Sequence, residues 1–185
     1  MKEKLVNLVV KAFTNMMYKC IYKTPDDFDN IIMESDGEYL TKLVFLNSKD
    51  LEKVNKDSKF KNLEIFAITK KWLDIYFKGD IPDFTPKYKL YNLSNFTMDV
   101  IEYIKQIPYG KTISYKDIAD SIAKKRNIEK MSSQAVGGAV GRNPICIIIP
   151  CHRIIGSNKK LVGFGGGLHN KISLIKKEGY NEYKK

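Results

Sequence analysis

Two prolines place the strongest constraint on this sequence. Pro144 and Pro150 bracket Ile145-Cys146-Ile147-Ile148-Ile149, and Cys151-His152-Arg153 follows at once. Proline lacks a backbone N–H and fixes φ, so regular pairing must stop at each of them. The apolar run Ile147 to Ile149 between them predicts a buried strand. A thiol, an imidazole and a guanidinium then emerge where that strand ends. A soft nucleophile beside a base, delivered by a buried segment, is how a reactive cysteine is usually presented. The competing reading is a packed Cys151 beside an incidental histidine, because cysteine is among the most buried residue types.

Composition matters here for what it excludes. A chain of 185 residues with 43% hydrophobic content fits one domain or two small ones around a real core. No apolar run is long enough to span a membrane. The opening Met1-Lys-Glu-Lys-Leu-Val-Asn-Leu-Val-Val-Lys11 is broken by Asn7 and Lys11 and makes a poor secretory signal. Cys20, Cys146 and Cys151 are odd in number and unpatterned, which predicts a reducing compartment, the cytoplasm, and no disulfide framework. Two histidines and no Cys/His cluster of zinc spacing predict no metal.

Charge is unevenly placed. Residues 1–88 carry 15 Lys and Arg against 14 Asp and Glu, whereas residues 89–185 carry 17 against 7. A basic half that also holds the reactive stretch points to a polyanion partner, with a plain solvated basic face as the alternative.

The first half reads as scaffold. Phe28–Met33 and Tyr39–Leu46 are apolar runs separated by Asp36-Gly37, a hairpin turn signal, and predict a small antiparallel sheet. Residues 63–78 place Phe66, Trp72, Leu73 and Phe77 at helical intervals before Gly79, a core-facing aromatic stripe with a glycine stop. Cys20 reads as a packed apolar residue. Nothing in this half carries evident chemistry. Residues 79–95, with Pro82 and Pro86, look like a linker, which puts a domain boundary near residue 88.

In the second half, Ser94 can cap a helix reaching Ile107, with Phe96, Val100, Ile104 and Ile107 on one face. Ser114-Tyr115-Lys116-Asp117 starts a second helix in capping-box fashion, with Ile118, Ala119, Ile122 and Ala123 inward. A basic loop, residues 124–130, leads to a third helix capped by Ser132 or Ser133. This succession is helix-turn-helix-like. Gly137 and Gly138 each cost the third helix about 1 kcal/mol relative to alanine. Ala135, Val136, Gly138 and Ala139 therefore either allow close helix packing or make a smooth face for a narrow groove. The loop 156–167 is glycine-rich but lacks the Lys-Ser/Thr ending of a phosphate loop. Leu168, Ile172 and Ile175 mark a closing helix, with Glu178 in its last turn, where an acid is mildly unfavourable against the helix dipole.

Taken together, Gln134–Pro144, Ile149-Pro-Cys-His-Arg153 and Gly163–Leu168 resemble the O6-alkylguanine-DNA alkyltransferases, the methylated-DNA–protein-cysteine methyltransferases. The detailed match covers roughly residues 94–180. The resemblance implies an α+β protein. Residues 1–88 would form a small ribonuclease-H-like α/β domain, and residues 89–185 a mostly helical DNA-binding and alkyl-acceptor domain. It implies repair of O6-alkylguanine, with O4-alkylthymine as a second candidate lesion. The base is flipped out and its alkyl group passes irreversibly to Cys151. His152 would take the thiol proton through a water, and Glu178 would support His152. Asn143 would brace the hinge before Cys151, and Tyr115 would protonate the leaving base. DNA contact falls to Gln134, Ala135, Gly138, Arg142 and Arg153; the last two alternatively hold the frame of the site. Leu161, Gly163, Phe164 and Gly165 fall on the alkyl-base pocket. Two departures stand out: Gln134 replaces an arginine finger, and Phe164 stands where many relatives have tyrosine. The resemblance implies no cofactor, a monomer, double-stranded DNA as partner and no membrane. The alternatives are a non-enzymatic damage-binding module, which would lack Cys151, and a cysteine hydrolase, for which no motif is present.

Overall fold

The computed structural model describes residues 16–184. The opening segment read above as a poor secretory signal, residues 1–11, lies outside them. Strands β1 (Tyr18–Tyr22), β2 (Ile31–Ser35) and β3 (Leu40–Phe45) form an antiparallel meander. The expected turn at Asp36-Gly37 joins β2 and β3: the Asp36 carboxylate accepts the Glu38 and Tyr39 amides, and Gly37 takes φ +110°. A short β4 (Lys59–Phe60) adds in parallel to β1, giving the order β3-β2-β1-β4.

Helix α1 (Glu64–Lys78) covers this sheet with the aromatic stripe expected from its spacing. Phe66, Trp72, Leu73 and Phe77 are buried, and Tyr76 is buried with them. Gly79 ends the helix at φ +102°, donating its amide to the Ile75 and Tyr76 carbonyls.

The second half is mostly helical. Helices α2 (Asn95–Lys105), α3 (Tyr115–Lys125) and α4 (Ser133–Val140) are capped by Ser94, Ser114 and Ser132, each accepting a backbone amide in the first turn. Ser114 and Asp117 complete the capping box. Helix α4 packs across α2 and α3. Helix α3 runs two residues into the stretch expected as a basic loop, and Lys125 at its end and Arg126 just beyond both reach Asp99 on α2. Strands β5 (Ile113–Ser114) and β6 (Ile154–Ile155) pair in parallel, and α5 (Leu168–Lys177) closes the chain.

The hydrophobic core runs without a break through residue 88, from Cys20 on β1 to Leu174 on α5. The free edge of β3 is what joins the halves. Leu40 exchanges backbone hydrogen bonds with the 87–89 segment, and Leu43 does so with Pro144 and Cys146. An edge strand is a row of unpaired donors and acceptors; here the segment leading to Cys151 satisfies them. Asn170 on α5 clasps Asp29 from the other side, through both its carboxylate and its amide.

Candidate active site

Ile147–Ile149 is not the strand that its composition predicted. After the bridge at Ile145 the chain turns back on itself, and Ile147 adopts φ +67°. That region is a genuine outlier for a β-branched residue and costs about 1–3 kcal/mol. Asn143 holds the turn in place. Its Oδ1 accepts the Ile145 amide at 3.0 Å, and its Nδ2 reaches the Ile149 carbonyl at 3.0 Å and the Cys151 sulfur at 3.0 Å. Cys151 then opens a single 3-10 turn, Cys151–Arg153, after Pro150. Consecutive strand residues face opposite ways, and the turn frees Cys151 and His152 from that alternation.

Behind Cys151, His152 is fully buried and its Nε2 pairs with Glu178 Oε1 at 2.8 Å. Glu178 is the hub of this side and accepts five hydrogen bonds. Besides His152, these come from the Tyr76 hydroxyl at 2.7 Å, Arg153 Nε at 2.8 Å, Arg153 Nη2 at 2.9 Å and the Gly110 amide at 3.2 Å. Burial would raise the Glu178 carboxyl, but His152 and then Arg153 overcome it and hold the carboxyl far below the usual range. Burial draws His152 down despite its carboxylate partner. With Nε2–H given to a carboxylate, the basic atom of the ring is Nδ1, which is buried and has no partner among the described residues. Arg153 also donates to the Ile107 carbonyl at 2.6 Å. Arg153 is thereby tied to Glu178 and to the backbone before Gly110.

In front of Cys151 lies a narrow cavity of about 50 Å³. Tyr115, Gly137, Asn143, Gly163, Phe164 and Gly165 line it with Cys151. Burial pushes the Tyr115 phenol up to about 12, so it enters any reaction protonated. The Cys151 thiol is drawn below its ordinary value by its neighbours, first the Cys146 thiol and then the Asn143 amide, against the cost of burial; Cys146 is driven up. Tyr115 and Gly137 also border a broad outer groove of about 680 Å³ with Gln134 and Gly138, so the groove and the cavity share a wall.

Helix α4 forms one wall of that groove. Gln134, Ala135 and Gly138 are exposed, as is Arg142 just beyond the helix. Val136 and Ala139, expected on the same smooth face, point instead into the core, because α4 needs an apolar side against α2 and α3. Leu161 also departs from expectation. It packs with Ile155 and Ile175 in a separate small cluster rather than on the cavity wall.

Residues 95–180 match the sequence pattern of the 6-O-methylguanine DNA methyltransferase DNA binding domain. The chain is 38% identical over 163 residues to a methylated-DNA–protein-cysteine methyltransferase of Methanosarcina acetivorans, covering 88% of this chain and 99% of that one. The chain belongs to the methylated-DNA–protein-cysteine methyltransferase family. In structure it is similar to the Mycobacterium tuberculosis OGT solved in complex with DNA, with TM-score 0.73, 31% identity and coverage of 87% and 92%.

For a member of this family, four residues around the site went unsignalled by the sequence. Tyr76 reaches Glu178 from the middle of an aromatic stripe. Asp50, in a 3-10 turn (Lys49–Lys53), is buried on the cavity wall, and Lys53 beside it donates to the Gly141 and Asn143 carbonyls at 2.8 and 2.9 Å. Lys171 on α5 is fully buried and holds the Ile154 and Val162 carbonyls, fastening the strand after Cys151 to the start of the glycine loop; burial brings its amine down to about 8. Asp50 and Lys53 stand in Ser48-Lys-Asp-Leu-Glu-Lys53, which reads as an ordinary solvated charged run. No helix among the described residues is long and apolar enough to cross a membrane.

Proposed function

We propose that this protein repairs DNA by moving the alkyl group of O6-alkylguanine onto Cys151, once per molecule. The observation that carries this is a buried cysteine sulfur held by Asn143, between a His152–Glu178 pair behind and a small cavity in front that shares a wall with a groove. The damaged base leaves the duplex and enters the cavity from the groove. His152 Nδ1 receives the thiol proton through a bridging water, and Glu178, itself positioned by Arg153, holds the resulting imidazolium in place. The sulfur attacks the alkyl carbon, the carbon–O6 bond breaks, and its electron pair passes into the purine. The protonated Tyr115 supplies a proton to the departing guanine. The product is a thioether on Cys151, and no residue in the site is placed to cleave it.

Binding rests on the second half of the chain. Gln134 fills the gap left by the base, and Ala135 and Gly138 let α4 lie deep in a minor groove about 6 Å wide. Arg142 contacts phosphate. The protein works as a monomer in the cytoplasm, where thiols stay reduced. The presence of Cys151 separates this reading from a non-enzymatic damage-binding module.

The test is stoichiometry. With O6-methylguanine duplex in excess, unmodified guanine should form in an amount equal to the protein and then stop. Continued turnover, or no product, would refute the proposal.

A further inference from the structure

Asp50 is the one acidic residue among those lining the cavity, and it comes from the half of the chain that otherwise serves as scaffold. We infer that Asp50 determines lesion specificity: its carboxylate accepts a hydrogen bond from the exocyclic 2-amino group of the flipped O6-alkylguanine, and so disfavours alkylated bases with no donor on that edge. This deepens the alkyl-transfer reading above and rests on it.

Three observations carry the inference. First, the carboxylate shares the cavity with the reacting sulfur. Asp50 and Cys151 both line it, and Asp50 Oδ2 lies 3.7 Å from the sulfur of Cys146. A cavity of about 50 Å³ brings any lining group within reach of the base edge that presents its alkyl group to Cys151. Second, the carboxylate has capacity left. A carboxylate offers about four lone-pair sites. Lys53 takes one on Oδ1 at 2.6 Å and the Cys146 thiol takes one on Oδ2, whereas Glu178 on the opposite side is fully engaged. Third, the pocket wall makes room for it. A Cβ on Gly165 would come within 2.3 Å of Asp50 Oδ1 and 2.6 Å of Oδ2, and the Asp50 amide donates to the Gly165 carbonyl at 3.3 Å. Any side chain at 165 would displace the carboxylate from this position.

The chemistry of the bases supplies the rest. Alkylation at O6 leaves guanine N1 without a proton, so the 2-amino group is the only N–H on the Watson–Crick edge. O4-alkylthymine presents only acceptors there, at N3 and O2. A carboxylate has no donor to offer them, and facing two lone pairs across a dry cavity is unfavourable. A site built around one hydrogen bond rejects the analogue lacking it far better than a hydrophobic pocket rejects a change of size.

The competing role for Asp50 is purely structural, as the anchor of Lys53 against the end of α4. Losing an anchor slows transfer from every lesion alike. So does any change in the Cys151 thiol that follows when the Cys146 proton loses its carboxylate acceptor. A ratio between two lesions cancels both effects. The experiment therefore compares single-turnover transfer to the full-length protein from duplexes identical except for O6-methylguanine, O6-methylhypoxanthine (which lacks only the 2-amino group) or O4-methylthymine. The wild-type protein should prefer O6-methylguanine over O6-methylhypoxanthine by about tenfold or more, the worth of a hydrogen bond to a charged group. Asp50→Ala should reduce that ratio by about tenfold and raise O4-methylthymine relative to O6-methylguanine. Asp50→Asn, equal in size and with a weaker neutral acceptor, should reduce the ratio by several-fold. The ratio is read in whichever variant keeps the wild-type unfolding transition. A fall of about threefold or more supports the inference, and a smaller change overturns it, whatever happens to the absolute rates. Transfer with an unmoved ratio overturns only the role of Asp50; no transfer from O6-methylguanine by the wild-type protein overturns the alkyl-transfer reading as well.

Discussion

Glu178 and Asp50 approach Cys151 from opposite sides, and the protein treats the two carboxylates differently. Glu178 stands at the end of α5 and is saturated by Tyr76, Gly110, His152 and Arg153. Asp50 stands in a turn of the first half, ion-paired to Lys53 and otherwise only lightly engaged. A saturated buried carboxylate has nothing left to give a substrate; it can only orient and stabilise its partners. A carboxylate with lone pairs to spare on a cavity wall can meet a ligand. On the proposed reading the rear of the site serves rigidity and proton handling, and the front serves recognition. Both sides draw on the first half of the chain, through Tyr76 at Glu178 and Asp50 on the cavity wall.

The sharpest way to break this contrast is to remove what holds both sides. Asn143→Ala deletes the hydrogen bonds that keep Ile147 in its unfavourable conformation and that reach the Cys151 sulfur. We expect a loss of about 2–4 kcal/mol in unfolding free energy and at least a hundredfold slower transfer, read by denaturant titration and single-turnover kinetics. A stable, active variant would show that the turn holds itself.

Glu178→Gln tests the rear side alone. Transfer should slow by about tenfold to a hundredfold while DNA affinity stays within about threefold, because His152 loses its anionic partner but the groove is untouched. The same variant has a pH signature. The Glu178 carboxyl is held below its unfolded value of about 4.3, so the folded state binds fewer protons there. Its contribution is fully present above that value and is lost as pH falls below it toward the depressed folded value. The wild-type protein should therefore lose stability more steeply below about pH 4 than the Glu178→Gln variant. Parallel acid limbs would contradict the saturated network.

Tyr76→Phe removes one of the five donors to Glu178 and should cost about 1 kcal/mol of stability with transfer slowed about threefold. Smallest of all on the chemistry is Gln134→Ala. It should leave the transfer rate at saturating DNA within about twofold, yet weaken binding of lesion DNA several-fold, since Gln134 borders the outer groove and not the cavity at Cys151. A Gln134→Ala variant slow at saturation would place Gln134 in the chemistry.

What the sequence disclosed follows from how local each signal is. The caps at Ser94, Ser114 and Ser132, the Asp36-Gly37 turn and the glycine stop at Gly79 are decided within four or five residues, and each is found where the pattern placed it. The α+β class and the gathering of Cys151, His152, Asn143 and Glu178 were legible through the family's motif. What was not legible is decided at a distance. Three isoleucines in a row have strand composition, but Asn143 overrides that preference. Tyr76 is hidden because a tyrosine in an aromatic stripe looks like core until Glu178, 102 residues away, meets its hydroxyl. Asp50 is hidden because a buried acid in a charged run has the same letters as a solvated one. Val136 and Ala139 were placed on the groove because small residues suit a groove and a helix contact equally.

The claim on which all of this rests is that Cys151 is the acceptor, and peptide mapping by mass spectrometry after incubation with O6-methylguanine duplex tests it directly. Cys146 is the demanding control, because it is a buried thiol in the turn that leads to Cys151. The account predicts one methyl group per protein, found on the Cys151 peptide alone and absent from the Cys151→Ala variant, which still binds the duplex. A methyl group on Cys146 or Cys20, or a Cys151→Ala variant that still becomes methylated, would contradict it.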